Sequence, residues 1–210
     1  MKIKICGMRL PVNIKEVALL QPNYMGLIFY PSSKRYVKDL DPEILKELPA
    51  SIKLTGVFVN VEFDEITRII EKYGLKAVQL HGEETADLCQ KLRYHGVEVI
   101  KAFGVDEHFD FKTLDKYDGK VDHYLFDTKT ALFGGSGMQF DWKLLDRYPY
   151  KTTFFLSGGI GPDQIKELKN IKDDRLYAID LNSKFELEPG VKDTCKVNQA
   201  INDVRLIDTQ

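Results

Sequence analysis

The chain has 210 residues, of which 43% are hydrophobic and 30% are charged, and its formal net charge is -2. This length suits one substantial core, and we expect a single catalytic domain spanning residues 1–210. The balanced charge argues against nucleic acid as a partner, and no apolar run approaches the roughly 20 residues of a membrane span. Because residues 2–6 already read as a core strand and leave no room for a signal peptide, we expect a cytoplasmic protein.

The cysteines and histidines indicate neither a disulfide scaffold nor a metal site. Cys6, Cys89 and Cys195 are far apart and form no Cys-x-x-Cys pair. Cys89 and Cys195 lie in helical patterns, where we expect small core hydrophobes. A metal is not required, because no metal-ligand spacing relates the four histidines, which are His81, His95, His108 and His123.

Short apolar segments of β-forming residues alternate with helical patterns along the whole chain. Eight segments have this strand character, and they cover residues 3–6, 24–30, 54–59, 76–81, 97–103, 123–127, 153–157 and 176–181. Helical spacing of apolar residues is clearest at Ile66, Ile69, Ile70 and Tyr73, and it returns at Val197, Ala200, Ile201 and Val204. Helix starts are marked at Asp41-Pro42-Glu43 and at Gly161-Pro162-Asp163.

This alternation predicts the fold class. Eight strand-like segments in 210 residues give one per about 26 residues, close to the roughly 30 residues of a βαβ unit. The strands are rich in Val, Ile, Leu and Phe, as expected when helices cover the outside and packed side chains fill the inside. A doubly wound open sheet is the alternative, which the count of eight disfavours. We therefore expect an α/β protein, a (β/α)8 TIM barrel in one domain.

Reactive side chains gather at the carboxyl ends of these strands, where this fold places active sites. Cys6 ends the first strand and Asp127 ends the sixth, three steps apart around a ring of eight. Cys6 is either a buried core thiol or a base, and as a base it needs nearby positive charge or aligned N–H groups to lower its pKa. Asp127 closes an apolar segment, so its carboxylate is either paired structurally or kept for proton transfer. Facing each other across the mouth, they would suit a base and an acid acting on one small substrate.

Paired glycines follow the seventh strand, in the stretch LSGGIGP. Gly158 and Gly159 permit a tight turn and a close approach to a ligand, and a helix start lies just beyond. An ordinary βα turn is the alternative. In a (β/α)8 barrel the loops after strands 7 and 8 commonly hold phosphate, and Asn182 and Ser183 occupy the second of them. The sequence thus favours a phosphate site formed by these two loops.

Three further features lie near the predicted mouth. Arg35 carries a guanidinium fork that suits a ligand carboxylate, although a basic loop residue is commonly just solvated. His81 is either an orienting group that donates a hydrogen bond or a satisfied loop histidine. The loop from Thr128 to Phe140 contains Gly134-Gly135-Ser136-Gly137 and is either a surface loop or a lid that excludes water.

With these residues in place, the chain resembles the phosphoribosylanthranilate isomerase family of the tryptophan pathway. The resemblance runs end to end, and its segments follow the order and rough spacing of that family. They are KIKICGM (2–8), GLIFYPSSKRYV (26–37), GVFVN (56–60), AVQLHGEE (77–84), LFDTKTALFGGSGMQFDW (125–142), LSGGIGP (156–162) and PGVKD (189–193).

The resemblance implies a (β/α)8 barrel that carries out an Amadori rearrangement of N-(5-phosphoribosyl)anthranilate without a cofactor. It implies that Asp127 is the general acid that opens the furanose ring to a Schiff base, and that Cys6 is the general base that removes the C2' proton. It sets Arg35 opposite the anthranilate carboxylate and His81 near the substrate. The phosphate loops then contain Gly158, Gly159, Asn182 and Ser183. The family pattern Asp-x-Ser-Ser-Gly-x-Glu departs here, since Asn182 replaces a serine and Lys184 a glycine.

Two rival functions remain at this point. The related histidine-pathway isomerase performs the same rearrangement with two aspartates, and Cys6 speaks against it. A non-catalytic barrel that senses phosphorylated ligands would not need both proton-transfer groups. We expect a small phosphorylated substrate as the partner, neither nucleic acid nor a membrane, and either a monomer or a homodimer.

Overall fold

The computed structural model describes residues 1–129 and 140–207. Eight parallel strands close into a barrel in chain order, each strand pairing with the next and β8 pairing with β1. The strands are β1 (Lys2–Ile5), β2 (Tyr24–Ile28), β3 (Lys53–Phe58), β4 (Ala77–Leu80), β5 (Glu98–Val105), β6 (His123–Thr128), β7 (Phe154–Leu156) and β8 (Leu176–Leu181). The predicted TIM barrel is confirmed, and each predicted strand lies within a few residues of an observed one.

Helices and a hairpin cover the barrel. The α-helices are α1 (Pro11–Leu19), α2 (Glu43–Lys46), α3 (Phe63–Tyr73), α4 (Ala86–Tyr94), α5 (Pro162–Glu167) and α6 (Thr194–Ile207). In the described part of the chain, 3₁₀ helices cover Phe111–Tyr117, Trp142–Arg147, Leu168–Asn170 and Ser183–Phe185. The short antiparallel strands β9 (Glu186–Glu188) and β10 (Val191–Lys192) form a hairpin after β8. No helix within the described ranges is long and apolar enough to cross a membrane.

Side-chain alternation along the strands divides the core in two. A small cluster of side chains packs inside the barrel. In it the rings of Tyr24 and Phe155 pack edge to face, with their centroids 5.3 Å apart. The other members of this inner cluster are Ala77, Ile100, Ala102, Leu125 and Ala178. Because strand side chains alternate, the residues two positions further on also face the interior, at the carboxyl ends of the strands. These positions include Gly26, Gln79, Asp127 and Asp180, so polar groups lie above an apolar floor.

Phe111, Leu114 and Tyr117 are buried on a 3₁₀ helix, because apolar residues spaced by three fall on one face of a threefold helix. One local feature differs from the sequence predictions. Cys195 is exposed, which makes the expectation of a core thiol wrong there. It lies in the first turn of α6, on the side away from the buried stripe that includes Val197 and Ala200. Cys89 is buried, as expected.

Candidate active site

Cys6 follows β1 directly and is 3% exposed, inside the barrel mouth. Gly7 has φ +77°, a conformation that glycine adopts readily, and it turns the chain away from the strand. Space for the thiol comes from the neighbouring strand β2, where a Cβ on Gly26 would lie 2.7 Å from Cys6 Sγ. The glycine on β2 is therefore what allows a cysteine at this position.

A buried ion pair lies beside Cys6. Lys4 Nζ donates to Asp180 Oδ1 at 2.9 Å, with the two side chains 0% and 6% exposed. Burial opposes the charge on Lys4, but attraction to Asp180 and Cys6 outweighs it and raises the Lys4 pKa. Burial raises the pKa of the Cys6 thiol, and the attraction of Lys4 only partly offsets this. Positive charge therefore lies beside the thiol, but burial outweighs it and the Cys6 pKa stays raised.

Asp127 lies at the end of β6, three strands from β1 around the ring. Its Oδ1 accepts a hydrogen bond from the Thr128 backbone N–H at 2.8 Å. Burial raises the pKa of Asp127 to about 6, and repulsion from Asp180 adds to this. Lys4 and Asp180 act electrostatically on both Cys6 and Asp127, so the ion pair links the two candidate groups.

His81 lies beside Asp127. The distance from His81 Nε2 to Asp127 Oδ2 is 3.6 Å, and the side chains are 17% and 13% exposed. On its other side the ring contacts Gln79, with 2.9 Å between Gln79 Nε2 and His81 Nδ1. Burial lowers the pKa of His81 to about 3, helped by the nearby charges of Lys101 and Lys4. His81 is therefore a neutral imidazole at physiological pH.

Arg35 is held by a carboxylate of the protein itself. Its Nε and Nη2 donate to the two oxygens of Glu186 at 2.6 to 3.1 Å, and the side chains are 14% and 5% exposed. Lys192 Nζ donates to the same carboxylate at 2.7 Å and to Asn182 Oδ1 at 2.7 Å. The fork is thus ordered before any ligand arrives, and the network connects Arg35 to the loop after β8.

The predicted phosphate loops lie next to each other at the mouth, after the adjacent strands β7 and β8. Gly158 and Gly159 have φ values of +90° and +66°, and a Cβ on Gly158 would lie 2.6 Å from the Thr128 backbone nitrogen. Both features require glycine. Asn182 and Ser183 are half-buried, and Ser183 begins the 3₁₀ helix Ser183–Phe185.

Lys184 fits this turn without the glycine of the family pattern. Among the described non-glycine residues, only Gln21 and Asn60 have a positive φ, so Lys184 is not in the left-handed region. Its exposed side chain lies near Gly161, 3.5 Å from where a Cβ would stand. Gly161 is the N-cap of α5, and Pro162 begins that helix, as the sequence predicts. Lys184 therefore brings a positive charge next to the loop after β7.

The loop that carries His81 is fixed by a second buried ion pair. Lys101 Nζ lies 3.2 Å from Glu84 Oε2, with both side chains 1% exposed. Glu84 also accepts from the backbone N–H groups of Asn60 and Gly82, at 2.8 and 2.9 Å. Lys101 donates to the Gly82 carbonyl at 2.8 Å. These bonds hold the start of the loop against β3 and β5.

Sequence reasoning missed the residues that surround the predicted ones, namely Lys4, Gln79, Glu84, Glu186 and Lys192. For Lys4 a signal was present, because it lies two residues before Cys6 and so on the same face of β1. For the pairing of Glu186 with Arg35 none was, since the two residues lie 151 positions apart in the chain. The glycines at 134–137, which the sequence assigns to a surface loop or a lid, lie outside the described residues. Within the described ranges no group of three His, Cys, Asp or Glu side chains could hold a metal ion.

A closed (β/α)8 barrel with ionisable groups collected at the carboxyl ends of its strands defines the class, that of the TIM-barrel enzymes. Residues 3–203 match the family model of N-(5'phosphoribosyl)anthranilate (PRA) isomerase. The chain belongs to this family.

Relatives and solved structures agree with this assignment. The N-(5'-phosphoribosyl)anthranilate isomerase of Parabacteroides distasonis is 42% identical over 97% of this chain and 93% of its own. The crystal structure of the enzyme from Thermotoga maritima, which is dimeric, is 36% identical and covers 98% of both chains with a TM-score of 0.84. An isomerase in complex with reduced 1-(o-carboxyphenylamino)-1-deoxyribulose 5-phosphate is 33% identical, covers 98% of both chains and has a TM-score of 0.80.

Proposed function

We propose that the chain is a phosphoribosylanthranilate isomerase that converts N-(5-phosphoribosyl)anthranilate to 1-(2-carboxyphenylamino)-1-deoxyribulose 5-phosphate in tryptophan biosynthesis. This is an aldose–ketose isomerisation by proton transfer, and it uses no cofactor. The observation that supports the proposal is that Cys6, after β1, and Asp127, near the end of β6, both lie within electrostatic reach of the buried Lys4–Asp180 ion pair.

Asp127 acts first, as the general acid. It gives its proton to the furanose ring oxygen while the bond from C1' to that oxygen breaks, and the nitrogen lone pair forms the iminium. The Asp127 pKa of about 6 supports this role, because a carboxyl group with an ordinary pKa would hold almost no proton near neutral pH. Its buried position supplies that shift.

Cys6 then acts as the general base. The iminium acidifies the C2' proton, so a thiolate of modest strength removes it, and the bond electrons form an enolamine that tautomerises to the ketone. The positive iminium also favours an ionised thiol nearby, which counteracts the effect of burial on Cys6. Lys4 supplies the permanent part of this favourable field.

Binding groups surround this pair. The phosphate is assigned to the loops that contain Gly158, Gly159, Asn182 and Ser183, with Lys184 close by. Arg35 is assigned to the anthranilate carboxylate, which suits a fork already oriented by Glu186. His81 is assigned to the substrate side of Asp127. Such positioning lowers the activation free energy, because the entropy of orienting the substrate is lost on binding and not in the reaction step.

The remaining parts of the proposal concern the molecule as a whole. Residues 1–210 form one catalytic domain, the partner is a small phosphorylated substrate and not nucleic acid, and the protein works in the cytoplasm. The assembly is a monomer or a homodimer, to be distinguished by light scattering of the purified chain.

The test is a direct assay. Purified protein is mixed with freshly made N-(5-phosphoribosyl)anthranilate, and the loss of substrate fluorescence is followed. We expect rapid loss that depends on enzyme concentration, and growth of a tryptophan auxotroph that lacks its own isomerase when it carries this chain. A folded protein that leaves the substrate signal at its spontaneous rate and does not rescue growth would overturn the proposal.

A further inference from the structure

Gln79 is a buried polar residue that folding alone does not explain. It faces the barrel interior on β4 and is 2% exposed. Its Nε2 contacts His81 Nδ1 at 2.9 Å, while its Oε1 is buried and has no hydrogen-bond partner among the described residues. An unpaired buried oxygen costs about 1–3 kcal/mol, so an apolar side chain of the same size would be at least as stable.

Gln79 contacts the imidazole ring that lies beside Asp127. A neutral imidazole carries one proton, on Nδ1 or on Nε2, and the partner of one nitrogen decides where it lies. A donor at Nδ1 leaves that nitrogen as the acceptor and sets the proton on Nε2. Nε2 is the nitrogen that lies 3.6 Å from Asp127 Oδ2.

We propose that Gln79 is a positioning residue, which holds the His81 proton on Nε2 so that this N–H faces the Asp127 carboxylate as that group gives up its proton. This inference rests on the proposed role of Asp127 as the acid. With the proton on Nδ1, a lone pair would face the carboxylate and oppose its negative charge. Gln79 therefore acts through His81 and does not touch the reacting atoms.

The other groups around Asp127 do not depend on Gln79. Lys4 on β1 and Asp180 on β8 act on it from across the interior, the Thr128 N–H donates to Oδ1 from β6, and Lys101 on β5 acts on His81. All of them remain when Gln79 is replaced by methionine. A change in His81 or Asp127 in that variant then reports the amide alone.

The direct test is nuclear magnetic resonance of the unliganded protein with ¹⁵N-labelled histidine. The His81 signals are identified by their loss in His81→Asn, and their pattern shows which nitrogen carries the proton. We expect the proton on Nε2 in the native protein, a mixture of both forms in Gln79→Met, and the proton on Nδ1 in Gln79→Glu, whose carboxylate accepts. A native proton on Nδ1, or an unchanged pattern in Gln79→Met, would overturn the inference.

The pH dependence of activity and the thermal stability of Gln79→Met provide a second test. Because kcat/KM requires Asp127 protonated and Cys6 ionised, its rise with pH ends where Asp127 loses its proton. Loss of the facing N–H disfavours the Asp127 carboxylate, so in Gln79→Met this break moves upward by about one pH unit, and kcat falls about tenfold. The thermal midpoint does not fall. A purely structural role predicts the opposite, a lower midpoint with an unmoved break.

Gln199→Met is the matched control, because Gln199 is exposed on α6 and its side-chain amide donates to Asp203, away from the barrel mouth. It should change neither the pH profile nor the His81 pattern. The two proposals fail separately. A native protein without isomerase activity overturns the proposed function while the His81 pattern still decides the proton position, and an active enzyme with the wrong pattern overturns only the role of Gln79.

Discussion

At the scale of single residues, burial raises the pKa of both proposed proton-transfer groups, but this favours the function of only one of them. It raises the pKa of Asp127, which helps an acid, and it raises the pKa of Cys6, which hinders a base. In the free enzyme the acid therefore has the lower pKa of the two. The productive form, with Asp127 protonated and Cys6 ionised, is a minor fraction at neutral pH.

This order of pKa values predicts a particular pH profile. Below pH about 6, kcat/KM rises with pH because the ionised fraction of Cys6 grows while Asp127 stays protonated. Above the Asp127 pKa the loss of its proton cancels that gain, and kcat/KM stays level until Cys6 itself ionises. Initial rates from pH 4.5 to 9 check this. A profile that is highest at pH 5 and falls steadily above it would contradict the assigned order.

Arg35 is the residue assigned to the substrate carboxylate. We expect Arg35→Ala to raise KM by about 10- to 100-fold, because a charged hydrogen-bonded contact contributes roughly 1.5–3 kcal/mol, with a smaller effect on kcat. The discriminating measurement is inhibition by two product analogues, one with and one without the ring carboxylate. Arg35→Ala should weaken inhibition only by the analogue that carries the carboxylate. Equal weakening of both analogues would assign Arg35 to folding, through its pair with Glu186.

Some of the site residues could be predicted from the sequence and others could not. Cys6 and Asp127 could be found because each closes a strand, and strand ends are visible in the sequence. Lys4 pairs with a residue 176 positions away, and Arg35 with one 151 positions away, so neither pairing leaves a local pattern. Positions of catalytic candidates were thus predictable, whereas the burial and the nearby charges that shift their pKa values required the fold.

At the scale of elements, β2 is shaped to receive the thiol on β1. We expect Gly26→Ala to destabilise the protein by about 1–3 kcal/mol, because its Cβ would lie 2.7 Å from Cys6 Sγ and 3.1 Å from Cys6 Cα. For a chain of this length that lowers Tm by roughly 3–10 °C. Activity should fall by more than stability explains, since the thiol must move. Calorimetry and rates measured well below Tm check this, and full activity in the folded variant would contradict it.

The loop after β4 depends on the Lys101–Glu84 ion pair. Removing one partner leaves the other buried and uncompensated, so Glu84→Gln or Lys101→Met should each cost about 3–5 kcal/mol. The double variant should cost less than the two together, because no lone charge remains. Urea unfolding of the four proteins measures this.

The exposed pair Lys46–Glu43 provides the control, with side chains 71% and 70% exposed. Glu43→Gln should cost at most about 1 kcal/mol. Additive costs in the double variant at Lys101 and Glu84 would show that the two residues act independently, against the arrangement described for this loop.

Elements were predictable to different degrees. Strands and their order followed from apolar runs of similar length, and Pro42 and Pro162 marked helix starts correctly. The 3₁₀ helix Phe111–Tyr117 was not predicted, because a segment of seven residues is too short for a clear helical period. The hairpin of β9 and β10 has only five residues in its strands and no pattern long enough to detect.

At the scale of the whole molecule, barrel closure is what makes a single site from distant stretches of chain. Pairing of β8 with β1 brings Asp180 next to Lys4, and the ring order sets β6 three strands from β1. The strand register then sets the level of each side chain along the barrel axis, and it places Lys4 directly opposite Asp180. An open sheet with the same strands would separate these groups at its two edges. The number and the spacing of the strand-like segments predicted this closure correctly.

The proposed reaction depends on two groups, Cys6 and Asp127, transferring protons to and from one substrate. The most direct measurement is kcat/KM of Cys6→Ala and Asp127→Asn for N-(5-phosphoribosyl)anthranilate, with Cys195→Ala as the control at an exposed thiol. We expect each of the two variants to remain folded by circular dichroism and to lose about 10²–10⁴-fold in activity, while the control is unchanged. Near-native turnover by either folded variant would contradict the acid–base assignment.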